Sequence, residues 1–230
     1  MKPLSVIYLF SLAYFCKFNP FIKGIRHGLN NPAQLESNKL IQNLRLLGTL
    51  NMSFDLLVPP RLIGLAAKLV EQCGDTKFIL DHCGNADPLA FDRHLDWDRK
   101  PQHDADLWKR GIDTLAKRAN VICKISGIIA RVPKGKATAD VLKPIVNYCL
   151  DAFGPDRAIY GSDWPVCTRG APLHVWTNLL HTIITLQQFT RFRLKNNHNI
   201  TQHIKKITAI RQFAKNTILF IFITHQILNE

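Results

Sequence analysis

KFILDHCG (77–84) runs an apolar stretch straight into Asp81, His82 and a glycine. An apolar run that ends in titratable groups and a turn residue reads as a buried strand with chemistry at its C-terminal end. The same design recurs on both sides. IKGIRH (22–27) ends in Arg26 and His27, and SFDLLV (53–58) is stopped by Pro59 and Pro60. NVICKISG (120–127) carries Lys124 and Ser126, and RAIYGSD (157–163) closes on Ser162 and Asp163 before Trp164 and Pro165. Between these runs lie helical patterns. Leu40, Ile41, Leu44 and Leu47 recur at helical spacing within 36–50, as do Leu62, Leu65, Ala66, Leu69 and Val70 up to Gly74. A third helix spans 105–119, with Asp104 as its N-cap, and a fourth spans 138–153. The polar stretch 83–101 reads as a long excursion loop, with His94, His103 and nearby aspartates in solvent or in a lid.

Five strands alternating with helices imply parallel βαβ connections and an α/β fold. Both a barrel and an open doubly wound sheet place their chemistry at the carboxyl ends of the strands, so position alone leaves the two architectures open. No phosphate-binding glycine signature follows the first strand, which argues against a dinucleotide site.

The chain has 230 residues and is 47% hydrophobic, enough for a sizeable core. Its formal charge of +13 is uneven. Residues 1–35 hold four Lys/Arg and no acid, and 177–230 hold seven Lys/Arg and one acid; 36–176 holds 19 basic and 16 acidic residues. Ten of the thirteen excess charges therefore lie in the flanks, and the central region is balanced like an ordinary enzyme. No nucleic-acid partner is expected, because no basic patch with aromatic or helix-borne contacts is evident. The six cysteines, at 16, 73, 83, 123, 149 and 167, form no CxxC framework, so a reduced, cytoplasmic chain without structural disulfides is expected. The apolar run from Leu4 to Cys16 is too short to span a bilayer, which takes about 20 residues, so no stable membrane anchor is expected. The organisation is an apolar segment at 1–20, a barrel-like portion at 21–176 and an atypical basic helix and tail at 177–230.

Two strand exits carry the chemistry. His82 has the residue type for a metal ligand or a general acid/base near neutral pH. Asp163 can orient or deprotonate a hydrolytic water, alone or beside a metal. Each also has an ordinary structural reading, a loop hydrogen bond for His82 and a turn or cap for Asp163. Arg26 and His27 are candidates for holding a substrate oxygen or carboxylate, with a salt bridge as the competing role for Arg26. Strand alternation puts Cys123 and Ile125 on one face and Lys124 and Ser126 on the other, so Lys124 either meets substrate or forms an ion pair. Trp164 either packs against the fold or stacks on substrate, and Cys83 reads as a packed thiol.

In order, KGIRH, SFDLLVPP, FILDHCG, NVICKISG, FGPDR and IYGSDWPVC resemble landmarks of the amidohydrolase-2 family, over residues 21–176. The similar branch is the lactonase-like one, with L-fuconolactone, L-rhamnonolactone and pyrone-dicarboxylate hydrolases. The resemblance implies a (β/α)8 TIM barrel of which strands four to eight are recognisable. It implies a small-molecule lactone substrate and a water activated by Asp163. His82 would polarise the carbonyl, with or without zinc or another divalent metal bound by His82 and Asp163. Arg26, His27, Lys124 and Trp164 would contact substrate. A decarboxylase or amide hydrolase of the same superfamily is the alternative, as is a catalytically impaired fragment. No HxH pair occurs anywhere in the chain. The expectation is therefore a barrel portion without its first strands, flanked by segments foreign to it.

Overall fold

A computed structural model describes residues 22–92 and 94–195, with side chains up to residue 187. The apolar segment at 1–20 and most of the basic tail lie outside the described residues. By contacts the chain divides after Gln187, and all that follows concerns the unit up to that residue.

Five strands form one sheet: β1 (Gly24–Gly28), β2 (Ser53–Leu57), β3 (Lys77–Leu80), β4 (Val121–Ile125) and β5 (Ala158–Tyr160). All four pairings are parallel. Their spatial order, β1-β2-β3-β4-β5, is the order of the chain. This resolves the choice that the strand ends left open. A doubly wound sheet reverses direction at a switch point, whereas here each crossover steps to the next neighbour. Right-handed crossovers that never reverse keep every helix on one face, which is the winding of a (β/α) barrel. The fold is α/β, a five-stranded arc of such a barrel.

The helices are α1 (Asn38–Thr49), α2 (Ile63–Glu71), α3 (Ala105–Ala116), α4 (Ala139–Phe153) and α5 (Leu173–Lys195). α3 starts where Asp104 Oδ1 accepts from Leu107 N at 2.7 Å, as its sequence position predicts. Thr138 caps α4 in the same way. α5 begins before residue 177, with Trp176 fully buried and its Nε1 donating to Gly161 O at 3.1 Å.

Parallel register puts Phe54, Phe78 and Val121 in line, and likewise Leu56, Leu80 and Cys123. These rows face the helices and form a dry core with Ile63, Leu69, Trp108, Ile112, Ile145 and Trp176. Burying a side chain of this size contributes about 2 kcal/mol. The opposite face is different in kind: Arg26 and Asp55 are in register with Ile79 and Ile122 on the concave face, and Asp81 and Lys124 stand two positions beyond those two isoleucines.

Four of the five strands end earlier than the sequence suggests, and β1 ends one residue later, at Gly28. β3 stops at Leu80 because His82, Cys83, Gly84 and Asn85 all take left-handed backbone, at φ 55°, 52°, 65° and 57°. The stretch 83–101 is also not a solvated loop. Asp87 is fully buried and takes both terminal nitrogens of Arg99, at 2.6 and 2.7 Å. Asp87 N donates to His103 Nε2 at 2.8 Å, so His103 pins the loop, while His94 is exposed.

Candidate active site

Successive concave-face positions first produce a closed set of charges. Arg26 Nη2 donates to Asp55 Oδ2 at 3.0 Å and to Asp81 Oδ1 at 3.2 Å. Arg26 Nε lies 2.8 Å from Asp81 Oδ2, an ion-pair contact whose N–H direction misses that oxygen. Lys124 Nζ reaches the same two acids, Asp55 at 3.0 Å and Asp81 at 2.7 Å. Two cations and two anions thus cancel across β1, β2, β4 and the end of β3. The ion-pair reading of Arg26 and Lys124 is what the geometry displays. Asp55 was missed by sequence reasoning, although a lone acid in the apolar run SFDLLV demands a buried partner.

His82 and Asp163 stand beyond this set, on the turns after β3 and β5. His82 Nε2 is 3.9 Å from Asp163 Oδ1. Asp163 has φ 52°, so both groups sit on left-handed backbone that L-residues rarely adopt. Two glycines make room for the imidazole and for the side chains of Lys124 and Ser126 beside it. A Cβ on Gly127, itself at φ 69°, would meet His82 Cγ and Nδ1 at 2.6 Å. A Cβ on Gly161 would press on Lys124 and Ser126 at 3.0 Å. His82 Nδ1 is 2.9 Å from Ser126 Oγ, and Ser126 is buried. Alternation along β4 therefore delivers Lys124 to the charge cluster and Ser126 to the imidazole, as expected.

Burial drives the pKa of His82 down to about 4, against the pull of Asp163, so the ring is neutral near neutral pH. Burial pushes the Asp163 carboxyl up, against the pull of His82 and Arg26. The two groups face each other as a neutral imidazole and a carboxylate of raised basicity.

The remaining sequence candidates fall apart in space. Register puts His27 in line with Leu56, on the opposite face of β1 from Arg26. Trp164 follows Asp163 and is 61% exposed, so it does not pack into the fold. Arg131 was not singled out in the sequence, because it lies in a short helical turn after β4 with no pattern around it. Its guanidinium donates to Gln102 Oε1 at 2.6 Å and Asn85 Oδ1 at 2.9 Å, and acts electrostatically on His82. No carboxylate among the described residues lies within ion-pair distance of it.

A zinc site in a hydrolase takes three protein ligands and keeps one open position. Among the described residues no third His, Cys, Asp or Glu joins His82 and Asp163 in such a group. His82 and Asp163 therefore do not by themselves complete a catalytic metal site among the described residues.

A family model described as Amidohydrolase matches residues 18–196. The chain belongs to the amidohydrolase family. An L-fucono-1,5-lactonase of Burkholderia multivorans is 28% identical over 160 residues, covering 65% of this chain and 51% of that protein. A crystal structure of an amidohydrolase from Burkholderia multivorans with bound zinc superposes with a TM-score of 0.61 at 25% identity, over 70% of this chain and 56% of that one. A probable 2-pyrone-4,6-dicarboxylic acid hydrolase from Acinetobacter baumannii shares the fold, with a TM-score of 0.54 at 20% identity over 73% of this chain and 60% of that one. The chain spans between 36% and 51% of the length of the curated relatives it matches. Among the described residues no helix is long and apolar enough to cross a membrane.

Proposed function

We propose that this amidohydrolase carries the water-activating half of a lactone-hydrolysing site. The observation that carries the reading is the 3.9 Å opposition of His82 and Asp163 at two strand exits, with burial holding one neutral and raising the basicity of the other. The name of the Burkholderia multivorans lactonase supports a small sugar-acid lactone as substrate.

In this reading Asp163 accepts a proton from water as the water oxygen attacks the lactone carbonyl carbon. The ring C–O bond then breaks, and the leaving alkoxide takes that proton from Asp163 and departs as a hydroxyl. We take Ser126 Oγ as the donor and His82 Nδ1 as the acceptor in their 2.9 Å contact, the hydroxyl's one hydrogen bond among the described residues. That tautomer puts the imidazole N–H on Nε2, aimed at the carbonyl oxygen on which negative charge develops. Arg131, whose partners are the neutral oxygens of Gln102 and Asn85, is better placed than the paired Arg26 to receive an anionic substituent. Trp164 lies at the open rim, where its ring is available to a substrate face. A cytoplasmic location accords with the reduced cysteines, of which five are described, all free.

The test is opening of a 1,5-sugar lactone by the wild-type chain and by Asp163→Asn, followed by proton release. Loss of a general base lowers turnover about 10²- to 10⁴-fold. Wild-type turnover that survives Asp163→Asn intact removes Asp163 from the mechanism. Carbon dioxide release in place of ring opening would make the chain a decarboxylase.

A further inference from the structure

We propose that Cys83, Cys123 and Cys149 form a three-thiol site for a soft monovalent cation of the Cu(I) type, on the helix side of the sheet behind His82. The three sulfurs lie within 4.8 Å of one another. They come from three elements: the left-handed turn after β3, the helix-facing row of β4, and α4. All three residues are fully buried, and none forms a disulfide.

The spacing suits a metal better than a sulfur–sulfur bond. Metal–thiolate bonds of about 2.3 Å in a flat three-coordinate arrangement put the sulfurs roughly 4 Å apart. A cluster within 4.8 Å needs adjustments of only a few tenths of an ångström at each side chain. The donor set then selects the ion. Sulfur-only ligation favours Cu(I), zinc or iron–sulfur centres over hard cations. A structural zinc takes four protein ligands, and the described residues bring only three together here. Cu(I) is satisfied by two or three sulfurs and needs no water, which a sealed pocket between strand and helix does not supply.

Cys83 adds a second observation. Its backbone is held at φ 52°, and its carbonyl accepts from the buried Trp108 Nε1 at 2.9 Å. Its thiol donates to the Lys124 carbonyl at 3.8 Å, on the strand that carries Cys123. Loading exchanges protons for metal with no electron transferred: each Cu–S(thiolate) bond formed releases one proton to solvent.

The experiment is an anaerobic titration of the reduced chain with Cu(I) supplied as its complex with a colorimetric chelator. The expected result is withdrawal of one Cu(I) per chain, a thiolate-to-copper absorption band and emission from a water-shielded centre. X-ray absorption of the loaded wild type is expected to show three sulfur neighbours and no nitrogen or oxygen. Cys123→Val and Cys149→Ala, checked for retained fold by circular dichroism, should abolish the one-equivalent withdrawal, whereas Cys73→Ala and Cys167→Ala should not. Failure to withdraw copper, nitrogen or oxygen neighbours, or binding indifferent to the first two substitutions would show that the three thiols are packing alone.

Discussion

Two sets of polar side chains share the concave face, and they are treated in opposite ways. Arg26, Asp55, Asp81 and Lys124 lie along or just beyond regular strands and neutralise one another at 2.7–3.2 Å. His82 and Asp163 sit on left-handed turns just past the strand ends, 3.9 Å apart, with burial shifting both pKa values toward the neutral forms. The first set is electrostatically closed and holds strands together. The second is left with unspent proton affinity, at a backbone cost of order 1–3 kcal/mol per strained residue. Charge on this face does not mark chemistry by itself; incomplete pairing does.

The contrast can be broken most forcefully at Asp55. Asp55→Ala leaves Arg26 and Lys124 short of an anion in a buried setting, and breaking such a set costs about 3–5 kcal/mol. Urea denaturation should show that loss, with an unchanged m-value. A cost under 1 kcal/mol would mean that the cluster is solvated and not structural.

The next effect is on the pH dependence of stability. The folded pKa of His82 is about 4, below its unfolded value of 6.5. The unfolded chain therefore binds the proton first as pH falls, and stability is lost between pH 6.5 and about 4. The loss contributed by this one ring is roughly 3 kcal/mol across that window. Asp163, with its pKa raised, acts in the opposite sense near its own titration. His82→Asn, a residue tolerant of left-handed backbone, should flatten the wild-type slope. Parallel slopes for the two proteins would place the titration elsewhere.

Gly127→Ala tests the room made for the imidazole. Its Cβ meets the ring at 2.6 Å on a backbone of φ 69°, so a cost of about 2 kcal/mol in thermal stability and a fall in turnover are expected together. Activity retained at full strength would show that the ring position is uncritical. The smallest effect belongs to Trp164. At 61% exposure, Trp164→Ala should change stability by less than about 0.5 kcal/mol, while KM rises if the ring meets substrate.

Much of this was legible in the sequence, for identifiable reasons. Apolar runs separated by helical spacing located all five strands and the helices between them, because burial against helices leaves that pattern. For β2 to β5 the C-terminal limits were set too late, by one to three residues, since DHC and GSD look continuous in letters while the backbone has already turned left-handed at His82 and Asp163. Barrel winding was legible only through the family resemblance, because it resides in strand order, which no local pattern encodes. His82 and Asp163 were found by their place after strands. Arg131 was not, since its candidacy rests on what it lacks, a carboxylate, and that is known only once neighbours distant in sequence are assembled.

The four-charge cluster has a consequence for assembly of the sheet. Side chains alternate between faces, so slipping β2 by a single position would turn Asp55 toward the helices and present Phe54 or Leu56 to Arg26 and Lys124. Two guanidinium and ammonium groups would then be stranded against hydrocarbon, and a carboxylate would enter the dry core. Misaligned sheets are thereby penalised at both faces at once. Charges that take no direct part in the proposed reaction act as a proofreading device for strand alignment.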